Sequence, residues 1–415
     1  MKKLLLTTAI VGAATFAVAA PAQADIQLGL GGHFKGYLSW VDQDEAAGVD
    51  VRDFDMVRDT EIHFTGETTL DNGLTVGFHA EETADGGEFA TQESYAYFAG
   101  NWGRVNFGAE DGAAYLLQVA APSADSNFDG IRQYVRGVSY AAAPAAVSGA
   151  LFGAAGTGLA TPGTANVLTV GRVFDYDHSA TGYADKITYI TPVFSGFQAA
   201  ASYTPDARTG ANPTLQTITG TGAGLSSGYA GSYGNGTDSV AGSFGAAYEG
   251  AVRYEGQFNA ARITLGAGYS NLELEANTAG VATGLYTDDI QTWNVGANVG
   301  FGPFNLGAAY LESNNGDFRS GAAGTSANSD SETWVVGADY TTGPFVLGAS
   351  YYNQTQERGT LGDLDTDRYT GGVTYTYGPG MSFRGSVSHV SNDLNTAGVA
   401  DFDATTVLLG TQINF

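Results

Sequence analysis

The chain has 415 residues, among them 60 glycines and no cysteine, and its 17 basic residues stand against 43 acidic ones, for a formal net charge of −26. The lack of cysteine excludes a disulfide scaffold and cysteine-ligated metals, and the acidic balance disfavours a nucleic-acid binder. Glycine, tyrosine and phenylalanine dominate over leucine, which suits β-sheets better than helix bundles.

The first 24 residues have the three parts of a secretory signal. Lys2 and Lys3 form a positive start, residues 4–18 form a short apolar core, and residues 22–24 read Ala-Gln-Ala, a small-residue cleavage site. The apolar run is too short to span a membrane comfortably. We therefore predict a cleaved signal peptide over 1–24 and one exported domain over 25–415.

Five strands are predicted before residue 109. The first begins at residue 25, the second covers about 53–66, the third follows a turn at residues 70–74, and two more lie within 94–108. In the first, His33, Lys35, Tyr37 and Ser39 alternate with apolar or small residues, the period-two pattern of a strand with two different faces. Strict alternation places Arg58 on the apolar face of the second strand.

The alternation stops over residues 109–182. This segment has acidic residues near its start and an alanine- and glycine-rich middle. Connections this long are unusual in compact domains and are often functional.

Eleven further strands are predicted after residue 182, which brings the total to about sixteen. They lie near 185–192, 196–204, 242–255, 258–270, 289–301, 304–313, 332–341, 345–355, 367–377, 381–390 and 403–415. Short turns, near Asn72, Trp102, Ser195, Gly256, Gly302, Gly343 and Pro379, alternate strictly with long polar loops. An even strand number with short turns at one end and long loops at the other is typical of a transmembrane β-barrel.

The hairpin over residues 334–352 shows what each face can do. Trp334, Val336, Phe345 and Leu347 lie on an apolar face with aromatic residues near the turn, whereas the other face is small or polar. A sandwich would press apolar faces together, but a face of glycine, serine and charge cannot fill a dry core. We predict an antiparallel barrel with lipid outside, water inside and the long 109–182 loop folded into the pore.

The residues SYAYFAGNWGRVNFG (94–108), TYITPVFSGFQAAASYTP (188–205) and the terminal Phe415 resemble the general porin family of Gram-negative bacteria, in its alphaproteobacterial type. The resemblance implies a sixteen-strand barrel in the outer membrane, a homotrimer, and a third long loop inside the pore. It also implies contacts with outer-membrane lipid and lipopolysaccharide, and a last strand, ending in Phe415, that the barrel assembly machinery reads. The Pro-Glu-Phe-Gly signature frequent in this family's inward loop does not occur here.

The resemblance also implies a pore constriction with acids on the loop and cations on the facing wall. The loop acids are Glu110, Asp111, Asp125 and Asp129, with an ordinary solvated loop as the alternative. The cations that alternation points inward are Lys35, Arg104, Arg253, Arg262 and Arg384, with a position on the lumen wall away from the narrowest point as the alternative. That alternative is favoured for Arg104 and Arg384, which lie close to short turns. Opposed charges would create a transverse field that favours polar solutes. The same acids are the candidates for any Ca²⁺ site; no other cofactor is expected.

The function predicted is a water-filled channel for passive diffusion of ions and small hydrophilic solutes, weakly cation-selective because of the negative charge. A substrate-selective porin is the alternative. An outer-membrane enzyme is disfavoured, since only His178, near Asp175 and Asp177, suggests catalysis and no nucleophile accompanies it. The five histidines look scattered and lack metal-ligand spacing, although three of them would face water on neighbouring strands. A soluble propeller, suggested by the spacing of two tryptophan hairpins, lacks the required four strands per repeat.

Overall fold

The computed structural model describes residues 26–85, 90–143, 175–207, 244–275, 288–320, 325–327, 330–357, 362–395 and 401–415. The predicted signal peptide lies outside these residues. Eighteen strands occur in the described part: β1 (Gln27–Gln43), β2 (Phe54–Thr69), β3 (Thr75–Thr83), β4 (Ala90–Gly100), β5 (Gly103–Ala109), β6 (Asp185–Ile190), β7 (Phe197–Thr204), β8 (Phe244–Phe258), β9 (Ala261–Leu274), β10 (Ile290–Phe301), β11 (Phe304–Ser313), β12 (Phe318–Ser320), β13 (Thr325–Ala327), β14 (Ser331–Thr342), β15 (Phe345–Gln356), β16 (Leu364–Gly378), β17 (Met381–Leu394) and β18 (Phe402–Asn414).

Sixteen of these strands form one closed antiparallel barrel, and the short β12 and β13 pair separately with each other. Each barrel strand pairs with its sequence neighbour, apart from β11, which pairs with β14, and the ring closes between β1 and β18. The backbone of Phe415 extends this closure, because its N–H and C=O bond the C=O and N–H of Gly32 at 3.1 and 3.0 Å. This single ring confirms the predicted fold class and is neither a sandwich nor a propeller.

Strand positions agree closely with the sequence prediction, with one displaced turn. The prediction put the β8–β9 turn near Gly256, but Gly256 pairs with Ile263 inside the hairpin and the chain reverses at residues 259–260. Asn259 adopts a φ of 54° there, a left-handed conformation that asparagine tolerates better than most residues. The turn was therefore predicted too early in the chain, near Gly256 and not at 259–260, because asparagine, and not glycine, makes this turn.

The outer face of the barrel is apolar and carries two aromatic belts. Near the short turns, Phe304 packs on Tyr340 with ring centroids 4.8 Å apart; toward the long loops, Trp293 packs on Tyr310 at 4.9 Å. Trp293 and Phe301 lie eight positions apart on β10, a span of about 27 Å along a strand. Allowing for strand tilt, that height suits the hydrocarbon band of a membrane. No helix among the described residues is long and apolar enough to cross a membrane.

The inner face is small and polar, and the described part of the connection from β5 to β6 lies against it. We call this connection, residues 110–184, the pore loop; residues 110–143 and 175–184 are described. The described part contains two one-turn helices, α1 (Ala113–Leu116) and α2 (Ser126–Asp129), and a 3₁₀ turn at Tyr140–Ala142. Buried apolar clusters lie where this loop meets the wall, for example Tyr140 with Phe402 and Leu117 with Ala200. The buried apolar core of the protein thus lies between the pore loop and the inner wall of the barrel.

Candidate functional site: the pore loop and its facing wall

The pore loop follows the barrel's inner wall through a series of hydrogen bonds. Backbone groups of Ala113, Ala114, Ala120 and Ala124 bond in turn to Ser202 on β7, Glu249 on β8, Asn298 on β10 and Thr374 on β16, at 2.6–3.1 Å. Inner-face glycines allow the backbones to approach closely: a Cβ added at Gly337 would overlap the carbonyl oxygen of Pro122. The path of the loop therefore depends on glycines, which have no side chain, on β14 and its neighbours.

Both ends of the loop are tied to the same wall. Glu249 accepts a hydrogen bond from the Ala114 N–H at 3.1 Å and another from Thr181 Oγ1 at 2.6 Å. Lys186, a buried residue of β6, donates to the carbonyls of Glu110, Gly182 and Ala184. The entry and exit of the loop are thereby fixed against β6 and β8.

Glu110 and Asp111, the two acids predicted nearest to β5, are buried at this entry. Glu110 accepts from Asn106 Nδ2 at 2.7 Å, and burial raises the pKa of Glu110 to about 7. Asp111 receives both terminal nitrogens of Arg132, at 3.1 and 3.3 Å. Burial raises the pKa of Asp111, and the Arg132 guanidinium opposes that rise. Asp111 is therefore paired within the loop itself.

Asp125 and Asp129 contact the wall directly. Arg384 donates to Asp125 at 2.7 Å and Tyr37 Oη donates at 2.9 Å. Arg368 donates to Asp129 at 2.9 Å. Burial raises the pKa of Asp129 to about 6, with Arg368 acting against the rise. The predicted transverse field would have these two acids face cations across open water. Instead, they form ion pairs that hold α2 against β16 and β17.

The predicted wall cations have different surroundings. Lys35 bonds Asp59 at 3.0 Å, with its Nζ 3.0 Å from the centroid of the Tyr134 ring. Arg253 pairs with Glu255 at 2.6 Å and donates to the Gln118 carbonyl. Arg104 lies on the Tyr97 ring, whereas Arg262 is exposed near the Gly302 turn. Lys35, Arg253 and Arg384 thus reach the loop, while Arg104 and Arg262 contact the short-turn end.

Arg58, as alternation predicted, points outward and pairs with Asp85 at 2.8 Å.

His178 serves as an anchor for the returning part of the loop. Its two ring nitrogens lie 2.7 Å from Ser270 Oγ and 2.6 Å from Asn294 Nδ2, and all three side chains are buried. Asp175, close by, bonds the Gln133 N–H and pairs with Arg136. A buried group with no access for a substrate is suited to fixing the loop.

The sequence did not indicate the residues that connect the loop internally, nor one wall cation. Arg132 joins Asp111 and Asp177, and Arg368 is the partner of Asp129. Strand alternation would have pointed Arg368 inward, since it lies between the inward Thr366 and Thr370 on β16. For Arg132, no local pattern in the loop gave a signal.

The three histidines that looked scattered converge on one patch of wall. His33 on β1, His63 on β2 and His79 on β3 form a ladder in which neighbouring rings are 6.1 and 5.4 Å apart. Asp59, Glu61 and Glu81 lie among them. The sequence predicts three water-facing histidines on neighbouring strands but not their convergence, because strand register, which the sequence spacing does not display, brings them together.

Comparisons with known proteins agree with this architecture. The family model for Gram-negative porins matches residues 7–396, whereas a comparison with curated protein sequences gave no match. Solved structures with the same fold include a porin refined at 1.8 Å (17% identity, TM-score 0.54), in-vitro folded OmpT of Vibrio cholerae in its trimer form (14%, 0.56) and a double mutant of the Rh. blastica porin (18%, 0.51). Each alignment covers 94% of this chain and 100% of the other.

The family match spans nearly the whole chain, and the closed barrel is the fold shared with those solved structures. The family, the fold and the outer-membrane location predicted from the sequence are confirmed. The chain belongs to the Gram-negative porin family and forms a channel in the outer membrane.

Proposed function

We propose that this porin passes ions and small hydrophilic solutes by passive diffusion, with a weak preference for cations. The observation that carries the preference is the acidic wall of β2 to β4. Asp59, Glu61, Glu81 and Glu93 all belong to the inner face there, and Lys35 is the neighbouring fixed cation. The carboxylates of Asp59, Glu61 and Glu81 near one ammonium group leave this side of the lumen negative, which concentrates cations.

The pore loop contributes less net charge than its acids suggest. Asp111, Asp125 and Asp129 each pair with an arginine at 2.7–3.1 Å, so their fields largely cancel over a few ångströms. In this proposal Arg132, held in place by the buried Asp111 next to Glu110, forms the loop side of the constriction. Lys35 and the acids of β2 to β4 form its wall side, and Arg253 and Arg384 hold the loop in position.

Single-channel recording in a planar bilayer tests the proposal. Under a tenfold KCl gradient, the reversal potential should have the sign of cation selectivity and should shrink as the salt concentration rises, because mobile ions screen the wall charge. A missing stepwise conductance would refute the channel, and anion selectivity would refute the charge argument. A substrate-selective porin would instead show saturable flux and block by one solute.

The remaining predictions from the sequence belong to the same proposal. We expect cleavage of residues 1–24, assembly as a homotrimer, contact with lipid and lipopolysaccharide, and recognition of the Phe415 strand by the assembly machinery. The V. cholerae OmpT with the same fold was solved as a trimer, which supports self-association. We expect no catalytic activity, and the burial of His178 supports this.

A further inference from the structure

We propose that the inner wall of β1 to β3 binds a divalent transition-metal ion of the zinc class through His33, Glu61, His63, His79 and Glu81. These residues form two overlapping ligand sets, His33–Glu61–His63 and His63–His79–Glu81. Within each set the potential ligand atoms all lie within 4.8 Å of one another. His63 is common to both.

Strand register creates this arrangement. His33 on β1 lies directly opposite Glu61 on β2, and His63 on β2 lies directly opposite Glu81 on β3. His79 is two positions before Glu81 on the same inner face of β3. Directly opposed side chains on one face of an antiparallel pair approach closely. The result is a row in which imidazoles alternate with carboxylates.

The spacing within the row suits a tetrahedral metal. Nε2 of His33 and Nε2 of His63 lie 3.4 and 3.5 Å from the same oxygen of Glu61. Nε2 of His63 and Nε2 of His79 lie 3.4 and 3.8 Å from one oxygen of Glu81. For metal–ligand bonds of about 2.0–2.1 Å, tetrahedral ligands are about 3.3–3.4 Å apart. Small side-chain shifts would therefore bring either set into coordination distance.

The chemistry of the ligands selects the metal. Two imidazoles and a carboxylate, with a fourth position left for water, are a known zinc ligand set, and imidazole favours zinc, copper and nickel over magnesium and calcium. The histidine side chains retain 12–23% exposure, so an ion can reach them from the lumen. Asp59, which bonds His33 at 2.8 Å, keeps Lys35 as a partner when the metal takes His33.

A bound ion would also change permeation. A divalent cation on this wall offsets two of the negative charges to which the proposed cation preference is ascribed. Zinc should therefore lower the cation preference of the channel. This consequence rests on the proposed function; zinc binding itself does not.

Equilibrium dialysis tests the site directly. The full chain, folded in detergent and stripped with a chelator, is dialysed against ZnCl₂, and protein-bound zinc is measured by elemental analysis. Wild-type protein should bind zinc, and His63→Gln should weaken binding by more than about tenfold, since even outer-shell changes cost 10–100-fold. His33→Gln and His79→Gln each leave one complete set and should bind more tightly than His63→Gln.

The matched control is His389→Gln, because His389 is exposed on β17 and faces Thr405 away from this cluster. It should bind zinc like the wild type. Absence of zinc from the wild type, or equal binding by His63→Gln, would overturn the proposal. A variant that fails to fold would show no difference in gel mobility between heated and unheated samples. Competition by Mg²⁺ at the same concentration as zinc would contradict the choice of metal.

Recording with and without zinc separates the two proposals. Normal cation-selective conductance without zinc binding in dialysis overturns only the metal site. Zinc binding in a protein without conductance overturns only the diffusion channel.

Discussion

Arg368 on β16 and Asp129 in the pore loop form an ion pair of 2.9 Å with side chains only 4% and 2% exposed. The pair joins residues 239 positions apart in the chain. Ser350 on β15 also donates to Asp129, so the carboxylate is bound from two strands. Removing one member of a buried pair leaves an uncompensated charge, which costs far more than the pair contributes net. The loop position therefore depends on this contact.

Replacing Arg368 should loosen the loop and destabilise the barrel. Arg368→Met should lower the free energy of unfolding by about 3–5 kcal/mol, because Asp129 then remains buried without its arginine. Urea unfolding followed by tryptophan fluorescence measures the change. The double variant Arg368→Met/Asp129→Asn should recover part of the loss.

The control for that experiment is Arg52→Met, which breaks the exposed Arg52–Asp55 pair. It should cost less than about 1 kcal/mol. Equal effects of the two substitutions would show that the buried pair has no special weight.

The stability of the protein should depend on pH through Glu110. Burial raises its pKa from an ordinary 4.5 to about 7, so the folded state binds the proton more tightly than the unfolded state. This stabilisation is fully present below about pH 4.5 and is lost as pH rises through about 7; the shift corresponds to about 3 kcal/mol. Between pH 5 and 8, the urea midpoint of Glu110→Gln should fall less steeply than that of the wild type.

Three further loop acids act in the same direction, so the variant keeps part of the slope. Burial raises the pKa of Asp111, that of Asp129 to about 6 and that of Asp175 to about 7. Asp71→Asn, in an exposed turn between β2 and β3, is the control and should keep the wild-type slope. Identical slopes for the wild type and Glu110→Gln would contradict the assignment.

A single methyl group at Gly337 should displace the pore loop. Gly337→Ala puts a Cβ against the Pro122 carbonyl, and backbone cannot yield as a flexible side chain can. We expect a changed single-channel conductance and faster protease cleavage of the loop. Gly250→Ala on β8 is the matched control, since an added Cβ there meets nothing within 4 Å. Unchanged conductance in Gly337→Ala would show that the loop does not lie against β14.

Neutralising the acidic wall should reduce cation preference. With a chelator present, Glu61→Gln/Glu81→Gln removes two carboxylates from the inner face of β2 and β3. The reversal potential under a KCl gradient should move toward zero, and most at low salt. Asp71→Asn removes a carboxylate from an exposed turn and should change the reversal potential less. If both shifts are the same, net charge and not the wall controls selectivity.

The lipid-facing side can be tested at Val336. This residue is exposed on the outer face near the middle of β14, two positions from Trp334 and four from Tyr340. Val336→Arg should cost about 2–4 kcal/mol of unfolding free energy at this depth, whereas the same change near an interface costs about 0–1. Val49→Arg, in the polar connection between β1 and β2, is the control. Equal costs in folding titrations into lipid vesicles would contradict the membrane position of β14.

Much of the fold could be read from local sequence. Hairpins such as β14–β15 show their period of two, their turn residues and their aromatic positions within about twenty residues, and these properties depend only on neighbours along the chain. The same alternation pointed Lys35, Arg253 and Arg384 inward. It failed at residues 259–260, where asparagine makes the turn.

The candidate site was less predictable because its contacts are not local. The sequence contains Asp125 and Asp129 in a loop but does not say which strand receives them; closure of the barrel assigns them Arg384 and Arg368.

By itself, the sequence determined the class of the protein, the apolar and polar faces of its strands and the loop that enters the lumen, because each follows from short-range periodicity and chain connectivity. Only the tertiary structure decided that the loop acids are paired instead of free, and that His33, His63 and His79 form one cluster. Pairing register between strands sets those distances, and register is a property of the closed ring as a whole.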